Sequence, residues 1–222
     1  MLWSLHFLGN DCTVTTTDVP QRTSGARPPG RPLSTELSGQ LVAVAMDILA
    51  DEGWGRLNSD RVAARARAGK AGIYRRWPTM AALARHALST TTLVVVPEDA
   101  GSLSDDLCAL LRPWTHALTR EERAAASLVG AARHDEELRA GLDEALVHPL
   151  AAAVRELADR EAARGRELPD ERVALLGQVL QALWWQRYTS FGTAPMTAAQ
   201  VEHLVGDVLL PITDPERAAP RR

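Results

Sequence analysis

Lys70, Tyr74, Arg75 and Arg76 stand within a seven-residue span of the stretch KAGIYRRW, which ends at Trp77. Ammonium, phenol and guanidinium groups all donate hydrogen bonds, and phosphate oxygens and the acceptor edges of bases are natural partners for them. Ile73 and Trp77 fall at i and i+4 in the same stretch, which reserves one side of a helix for a core. Catalytic chemistry has no comparable signature. The sequence contains no HExxH, CxxC, P-loop or Gly-x-Ser-x-Gly pattern, its six histidines are scattered, and Cys108 has no neighbouring base. His116 has Asp105 and Asp106 only at a distance of a few turns. An enzyme is therefore not expected, and neither a cofactor nor a metal is implied.

The donors need a scaffold, and the residues before them supply one. Asn58 is a good helix N-cap, and Asp60 adds negative charge to the first turn. Val62, Ala63 and Ala66 give that helix one small apolar face. Arg67-Ala68-Gly69 can turn the chain, and a second helix is predicted from Lys70 to Trp77. A small-residue helix crossing a short basic helix is the layout of a helix-turn-helix, whose second helix enters the major groove. A preceding helix starts near Ser34 or Thr35, with Leu37, Leu41, Val44, Ala45 and Ile48 on one stripe and Gly53 as its stop. Trp54 is expected as a core plug. Pro78 is placed to open a fourth helix that runs to about Leu93. Val94 to Val96 is expected to be helix end and linker, since Pro97 and the acidic loop leave a strand no partner.

Everything further along is predicted helical. Leu103 to Leu118 forms helix 5 with a kink at Pro113, Glu121 to Arg133 helix 6, and Glu136 to about Arg164 a long helix bent at Pro149 and stopped by Gly165. Pro169 and Asp170 open the next, striped by Val173, Leu176, Leu180, Trp184 and Tyr188. Thr197 to Leu210 is the last. The fold class is all-α, with about nine helices. The expected organisation is a leader and basic arm over residues 1–33, a helix-turn-helix domain over 34–78, a ligand-binding and dimerisation domain over 79–213, and a tail over 214–222.

Net charge is only −3, but its distribution is uneven. Residues 20–88 hold eleven Arg or Lys against five Asp or Glu, whereas residues 89–222 hold fourteen against twenty-one. A basic N-terminal third on an acidic remainder fits a DNA-reading module joined to one that avoids DNA. Residues 1–19 lack the pattern of a signal peptide and read as a disordered leader or a misplaced translation start. Pro20 to Pro32 reads as a flexible basic arm, in which Arg31 is positioned to follow the minor groove. No apolar run approaches the roughly 20 residues of a membrane span. Two distant cysteines, Cys12 and Cys108, fit a reducing cytoplasm better than export.

The runs VAMDILADEGW, DRVAARA and KAGIYRRWPTMAAL, in this order between Ser34 and Leu88, resemble the TetR/AcrR family of transcriptional regulators. The third is similar to the form of the family signature that reads KATIYRRWPSKEAL. Three positions depart from it. Arg67 stands where the turn glycine is usual, so either Arg67 adopts a left-handed conformation or Gly69 makes the turn. Gly72 replaces a Thr, and Met80 replaces a Lys at the start of helix 4.

The resemblance implies that Lys70, Ala71, Gly72, Tyr74 and Arg75 face DNA, Tyr74 at a phosphate and Lys70 and Arg75 at base edges. Asn58 offers its side chain or its helix N-terminus to a phosphate, and Arg76 either joins them or ends the helix in solvent. Reading a palindromic operator on double-stranded DNA requires a homodimer, implied to form through the last two helices. A pocket for a small-molecule ligand is implied among helices 5 to 8. Trp114, His116, His148, Trp184, Trp185, Tyr188 and Phe191 are its candidate lining, each also readable as ordinary core or dimer contact. The expected function is a ligand-released repressor. The alternative is an interaction protein that retains the helix-turn-helix as a scaffold without specific DNA binding.

Overall fold

Apolar residues three and four apart recur along the chain, and the regular elements they form are helices. The computed structural model describes residues 35–190 and 194–214, with no strand among them. Counting a helix with an internal π turn as one, these residues form nine helices, the all-α architecture expected. Helix α1 (Thr35–Glu52) buries Leu41, Val42, Ala45, Met46, Ile48 and Leu49. Gly53 ends it at φ 82°, and a 3-10 turn (Trp54–Arg56) follows in which Trp54 packs, half-buried, against the core.

Helices α2 (Ser59–Ala66), α3 (Lys70–Tyr74) and α4 (Met80–Ser89) come next. Helix α3 is shorter than its apolar spacing predicts. Pro78 disfavours helical backbone at the residue before it, and the chain leaves the helix at Tyr74. The turn beyond still delivers Trp77 to the core, with its N–H bonded to the Ile73 carbonyl at 2.9 Å. Pro78 does not open α4. The cap is Thr79, whose hydroxyl accepts from the Ala82 N–H at 3.0 Å. The helix also stops well short of Leu93, because Ser89, Thr90 and Thr91 turn their hydroxyls onto the carbonyls of His86, Ala87 and Leu88.

The linker over residues 90–102 contains Val94 to Val96 without a strand, as the sequence suggests. Its far end is clamped. Arg160 donates to the Pro97 carbonyl at 2.9 Å, Arg164 pairs with Asp99 and with the fully buried Asp106, and Asp106 also accepts from the Ala100 N–H at 2.8 Å. Helix α5 (Leu103–Leu111), capped by Ser102, ends before Pro113 rather than kinking at it, and Arg112–Thr115 forms a 3-10 turn. Helix α6 (Arg120–Leu128) opens with a Thr119–Glu122 capping box and stops short of the predicted Arg133, where a 3-10 turn (Ala131–Arg133) replaces it.

The bend expected at Pro149 is a π turn placed ahead of it. Helix α7 (Glu136–Leu142) runs through a π turn (Asp143–Val147) into α8 (His148–Ala163). The wide turn carries the proline ring past the Ala145 carbonyl, with which it would collide in a regular helix. Gly165, at φ 90°, stops α8 as predicted. Helix α9 (Asp170–Thr189) buries its predicted stripe. The last helix repeats the earlier device: α10 (Ala198–Leu204), a π turn (Val205–Leu209), then α11 (Leu210–Thr213), with Pro211 in the same relation to its π turn as Pro149.

Two joints hold α1 to α4 against the remaining helices. Helix α1 lies along α6, where Arg120 bonds Asp47 at 2.7 Å and the Ala43 carbonyl at 2.8 Å, and Arg123 bonds Asp51 at 3.2 Å. Helix α4 packs on both α1 and α7. At the second contact Gly141 lets the helices close so far that a Cβ on it would stand 3.1 Å from the Arg85 Cα.

Candidate nucleic-acid interface

Helix α2 is built to present α3. The Asn58 side chain accepts from the Arg61 N–H at 2.9 Å, which caps α2, while its amide donates to the Arg56 carbonyl at 3.3 Å. Its side chain is thus spent within the protein, and the helix N-terminus is what remains to offer a phosphate. Val62 and Ala66 are buried and Ala63 is partly so, which fixes the small apolar face against α1.

The turn settles where the left-handed residue lies. Arg67 takes φ 49° and ψ 41°, and it is the one non-glycine with positive φ among the described residues. Its N–H bonds the Ala64 carbonyl at 3.4 Å and the next N–H, of Ala68, bonds Ala63 at 2.9 Å, the paired closure of a Schellman motif. Gly69 is extended, at φ −81°, and does not serve as the left-handed residue. Gly165 closes α8 with the same two bonds, using a glycine as expected.

Helix α3 and the turn after it then divide their residues cleanly. Ile73 and Trp77 are buried, while Lys70, Ala71, Tyr74 and Arg75 are exposed and Gly72 is half-buried. Lys70 forms an ion pair with Asp60 across the turn. Arg75 has no side-chain hydrogen bond or ion pair among the described residues, so its guanidinium carries uncompensated charge. Tyr74, half exposed, has its hydroxyl available. Arg76 turns the other way: it donates from Nε to the Ser38 hydroxyl and from Nη1 to the Gly72 carbonyl, both at 2.8 Å. Arg61 and Arg65 are similarly occupied by Glu52. Met80 is half-buried against the core, and Arg31 lies outside the described residues.

The second set of candidates is partly gathered at a cleft of about 1130 Å³, walled by α1, the 90–100 linker, the end of α5 and the start of α6. His116 and Trp184 line it. Trp114 meets Trp184 edge-on, with centroids 4.8 Å apart, and Tyr188 is buried nearby on α9. Trp185 is half-buried and touches Tyr188 with ring centroids 6.4 Å apart. His148 is exposed at the start of α8 and lines no part of the cleft, and Phe191 lies outside the described residues.

Two charged residues that the sequence reading passed over belong here. Glu122 and Arg187 are each more than nine-tenths buried and face one another at 3.7 Å. Arg187 also donates to the His116 carbonyl at 3.1 Å and lies 5.7 Å from the Trp114 ring centroid. The Thr-x-x-Glu spacing marks Glu122 in the sequence only as a helix cap, and the one available signal for Arg187 is its place beside Trp184 and Tyr188 on the apolar stripe. Burial and the Glu122 carboxylate push the Tyr188 hydroxyl well above the usual phenol range, against weaker pulls from Arg187 and the Trp184 N–H. Burial likewise raises the Cys108 thiol, the opposite of nucleophile activation. Among the described residues no cluster of His, Cys, Asp or Glu is arranged to hold a metal ion, and no helix is long and apolar enough to cross a membrane.

Comparison with known proteins covers both halves. Residues 41–87 match the family model described as bacterial regulatory proteins, tetR family, and residues 97–208 match the tetracyclin repressor-like C-terminal domain. The chain is 34% identical over 183 residues to a DNA-binding transcriptional repressor TetR of Mycobacteroides abscessus, covering 80% of this chain and 94% of that protein. It is 32% identical over 192 residues to an uncharacterized HTH-type transcriptional regulator of Mycobacterium tuberculosis, covering 82% and 89%. Among solved structures, the TetR family transcription regulator SCO0332 superposes with a TM-score of 0.55 at 28% identity, over 78% of this chain and 97% of that one. Salmonella enterica GusR reaches a TM-score of 0.61 at 12% identity over 79% and 96%, a likeness of fold.

Proposed function

Because the chain belongs to the tetR family of bacterial regulatory proteins and is a transcriptional regulator rather than an enzyme, we propose that it is a repressor released from DNA by a small molecule. It binds a palindromic operator as a homodimer, in the cytoplasm, with residues 34–78 reading DNA and residues 79–213 binding ligand and partner. The observation that carries this reading is the division of α3. Ile73 and Trp77 anchor one side, and Lys70, Tyr74 and Arg75 stand exposed on the other beside an exposed Ala71 and a half-buried Gly72 that let backbone approach bases. Arg75 is the cation best placed for a bidentate contact with guanine, and Tyr74 for a phosphate.

The remaining parts of the reading rest on arrangement. Leu175 on α9 and Val208 in the last helix are exposed, and Val179, Leu183, Leu204 and Ile212 are only partly covered, an apolar extent suited to pairing with a second copy. The cleft touches α1 directly through Val42 and Met46, so an occupant acts on the first helix of the DNA-reading module and shifts the population between DNA-competent and released forms.

The alternative, a scaffold that has lost DNA reading, is favoured by two details: Lys70 is paired with Asp60, and Arg76 is turned inward. Footprinting across the DNA flanking the coding region, over a salt series, separates the two. The repressor reading expects a protected palindrome whose affinity falls steeply with salt, as phosphate neutralisation releases counterions. Arg75→Ala and Tyr74→Phe should each weaken protection more than Arg76→Ala, with Arg75→Ala costing roughly 1–3 kcal/mol. Unlocalised, salt-insensitive binding there and across the genome would leave the scaffold reading standing.

A further inference from the structure

Behind the Trp184 wall of the cleft lies a cluster of buried donors without a hydrogen-bond acceptor, one of which, Arg187 Nε, has only the Glu122 carboxylate at 3.7 Å. Trp114 Nε1, Trp184 Nε1, Arg187 Nε and the Tyr188 hydroxyl are all buried, and none has a hydrogen-bond partner among the described residues. They form one neighbourhood. Trp114 packs on Trp184, Arg187 lies over Trp114, and the Trp184 N–H is near enough to the Tyr188 hydroxyl to bear on it without closing a hydrogen bond. Trp184 and Glu122 are shared between this cluster and the wall of the cleft. Buried donors left unpaired are costly, so several in one place next to a large cleft ask for an acceptor that enters from it.

The charge of the cluster narrows what that acceptor is. Arg187 and Glu122 already oppose one another at 3.7 Å, both out of solvent. A carboxylate brought to the donors would meet Glu122 in a desolvated setting, and an ammonium would meet Arg187. An uncharged acceptor meets neither penalty. The rest of the wall is largely apolar where Val42, Met46, Leu93, Leu110 and Pro113 line it, and its volume suits a drug-sized molecule. Among the charged groups on its rim, Arg120 is bound by Asp47 and Glu121 and Asp99 by Arg164, which leaves Arg112 and Glu98, of opposite sign. We infer that the cleft takes an uncharged, carbonyl-bearing apolar molecule, a ketone, lactone or amide, whose oxygen is held by the Trp184 indole N–H beside Arg187 and Tyr188. This rests on the reading of the cleft as the effector site.

The test uses four probes that share a naphthalene frame: 2-acetylnaphthalene, 2-ethylnaphthalene, 2-naphthoate and 2-naphthylmethylammonium. Their affinities for the full chain are measured by ligand-observed NMR. The ketone should bind at least tenfold tighter than the hydrocarbon and than either ion. Trp184→Phe, which keeps a ring and loses the N–H, should abolish the ketone's advantage over the hydrocarbon, measured as the ratio of the two affinities in the same variant. If that variant fails to fold, the ranking on the unaltered protein decides alone. Equal binding of ketone and hydrocarbon, a lead for either ion, or no binding by any probe at millimolar concentration would overturn the inference. Adding the ketone to the footprinted complex tests the effector reading separately. Tight ketone binding without loss of DNA protection would uphold the ligand chemistry and remove the effector role.

Discussion

Arg67 occupies the left-handed position that ends α2 at a steric cost of about 1–2 kcal/mol for a residue with a Cβ. Replacing it by glycine removes that cost and returns part of it as freedom of the unfolded chain, so Arg67→Gly should stabilise by roughly 0.5–1 kcal/mol. Thermal unfolding should show a rise of a few degrees; an unchanged or lower Tm would mean the arginine side chain repays its own strain. Gly72→Ala is expected to add about 1 kcal/mol through helix propensity. A Cβ there would meet Arg76 Nη1 at 3.7 Å, ordinary contact that leaves the Arg76 bonds intact. Urea titration of the variant checks it. Residues of this kind divide sharply in how legible they are. Ile73 and Trp77 announce themselves as core by spacing alone. Arg76 does not, because its direction depends on Ser38, a contact between residues 38 apart that no local pattern encodes.

At the level of elements, the joint between α4 and α7 is set by one glycine and one arginine. Arg85 spans Glu137 and Glu144, which lie on either side of Gly141, and the missing Cβ of Gly141 lets α4 sit against α7. Gly141→Ala should force the backbones apart and destabilise by roughly 1–3 kcal/mol, because the nearest atoms belong to backbone and stem rather than to a flexible tip. A variant as stable as the parent in urea would show that α4 can shift freely. Helix identities and order were readable from apolar periodicity, whereas several ends were not. Hydroxyls at Ser89 to Thr91 ended α4 early, and Pro113 ended α5 where a kink was expected. Periodicity reports which residues face the core but not how the backbone is hydrogen-bonded between them.

For the molecule as a whole, pairing of carboxylates with arginines sets its response to acid. The hydrogen bond from Arg85 holds Glu144 below its ordinary 4.5, and the Gly101 N–H, with Arg164, holds Asp99 below 3.8. Both groups bind fewer protons folded than unfolded, so their contribution is complete above those ordinary values and is lost as pH falls through the lower folded-state ones. Urea midpoints should therefore hold steady from about pH 7 to about 5 and fall in stronger acid. Glu144→Gln should begin lower and converge with the parent there; parallel curves would remove Glu144 from the account. The cleft was only half legible at this scale. Its aromatic residues stood out by type, but Glu122 and Arg187 come together from different helices and carry no signal until the fold is known.

The two π turns bear on how the chain tolerates change in length. Leu142 and Leu150 are both buried and eight residues apart, as are Val201 and Leu209. One α turn and one wider π turn close two rotations over about that distance, whereas a regular helix of 3.6 residues per turn would leave the second residue out of phase by about 80°. Each π turn thus behaves as a dislocation holding one surplus residue, and the proline behind it pins the surplus in place. A single deletion within residues 143–147 would remove that surplus and leave a spacing of seven residues from Leu142 to Leu150, about 700° of regular helix and only about 20° out of phase, so Leu150, Val154 and Leu157 would still face the core. The same deletion within the regular turns of α8 would rotate everything beyond it by about 100°.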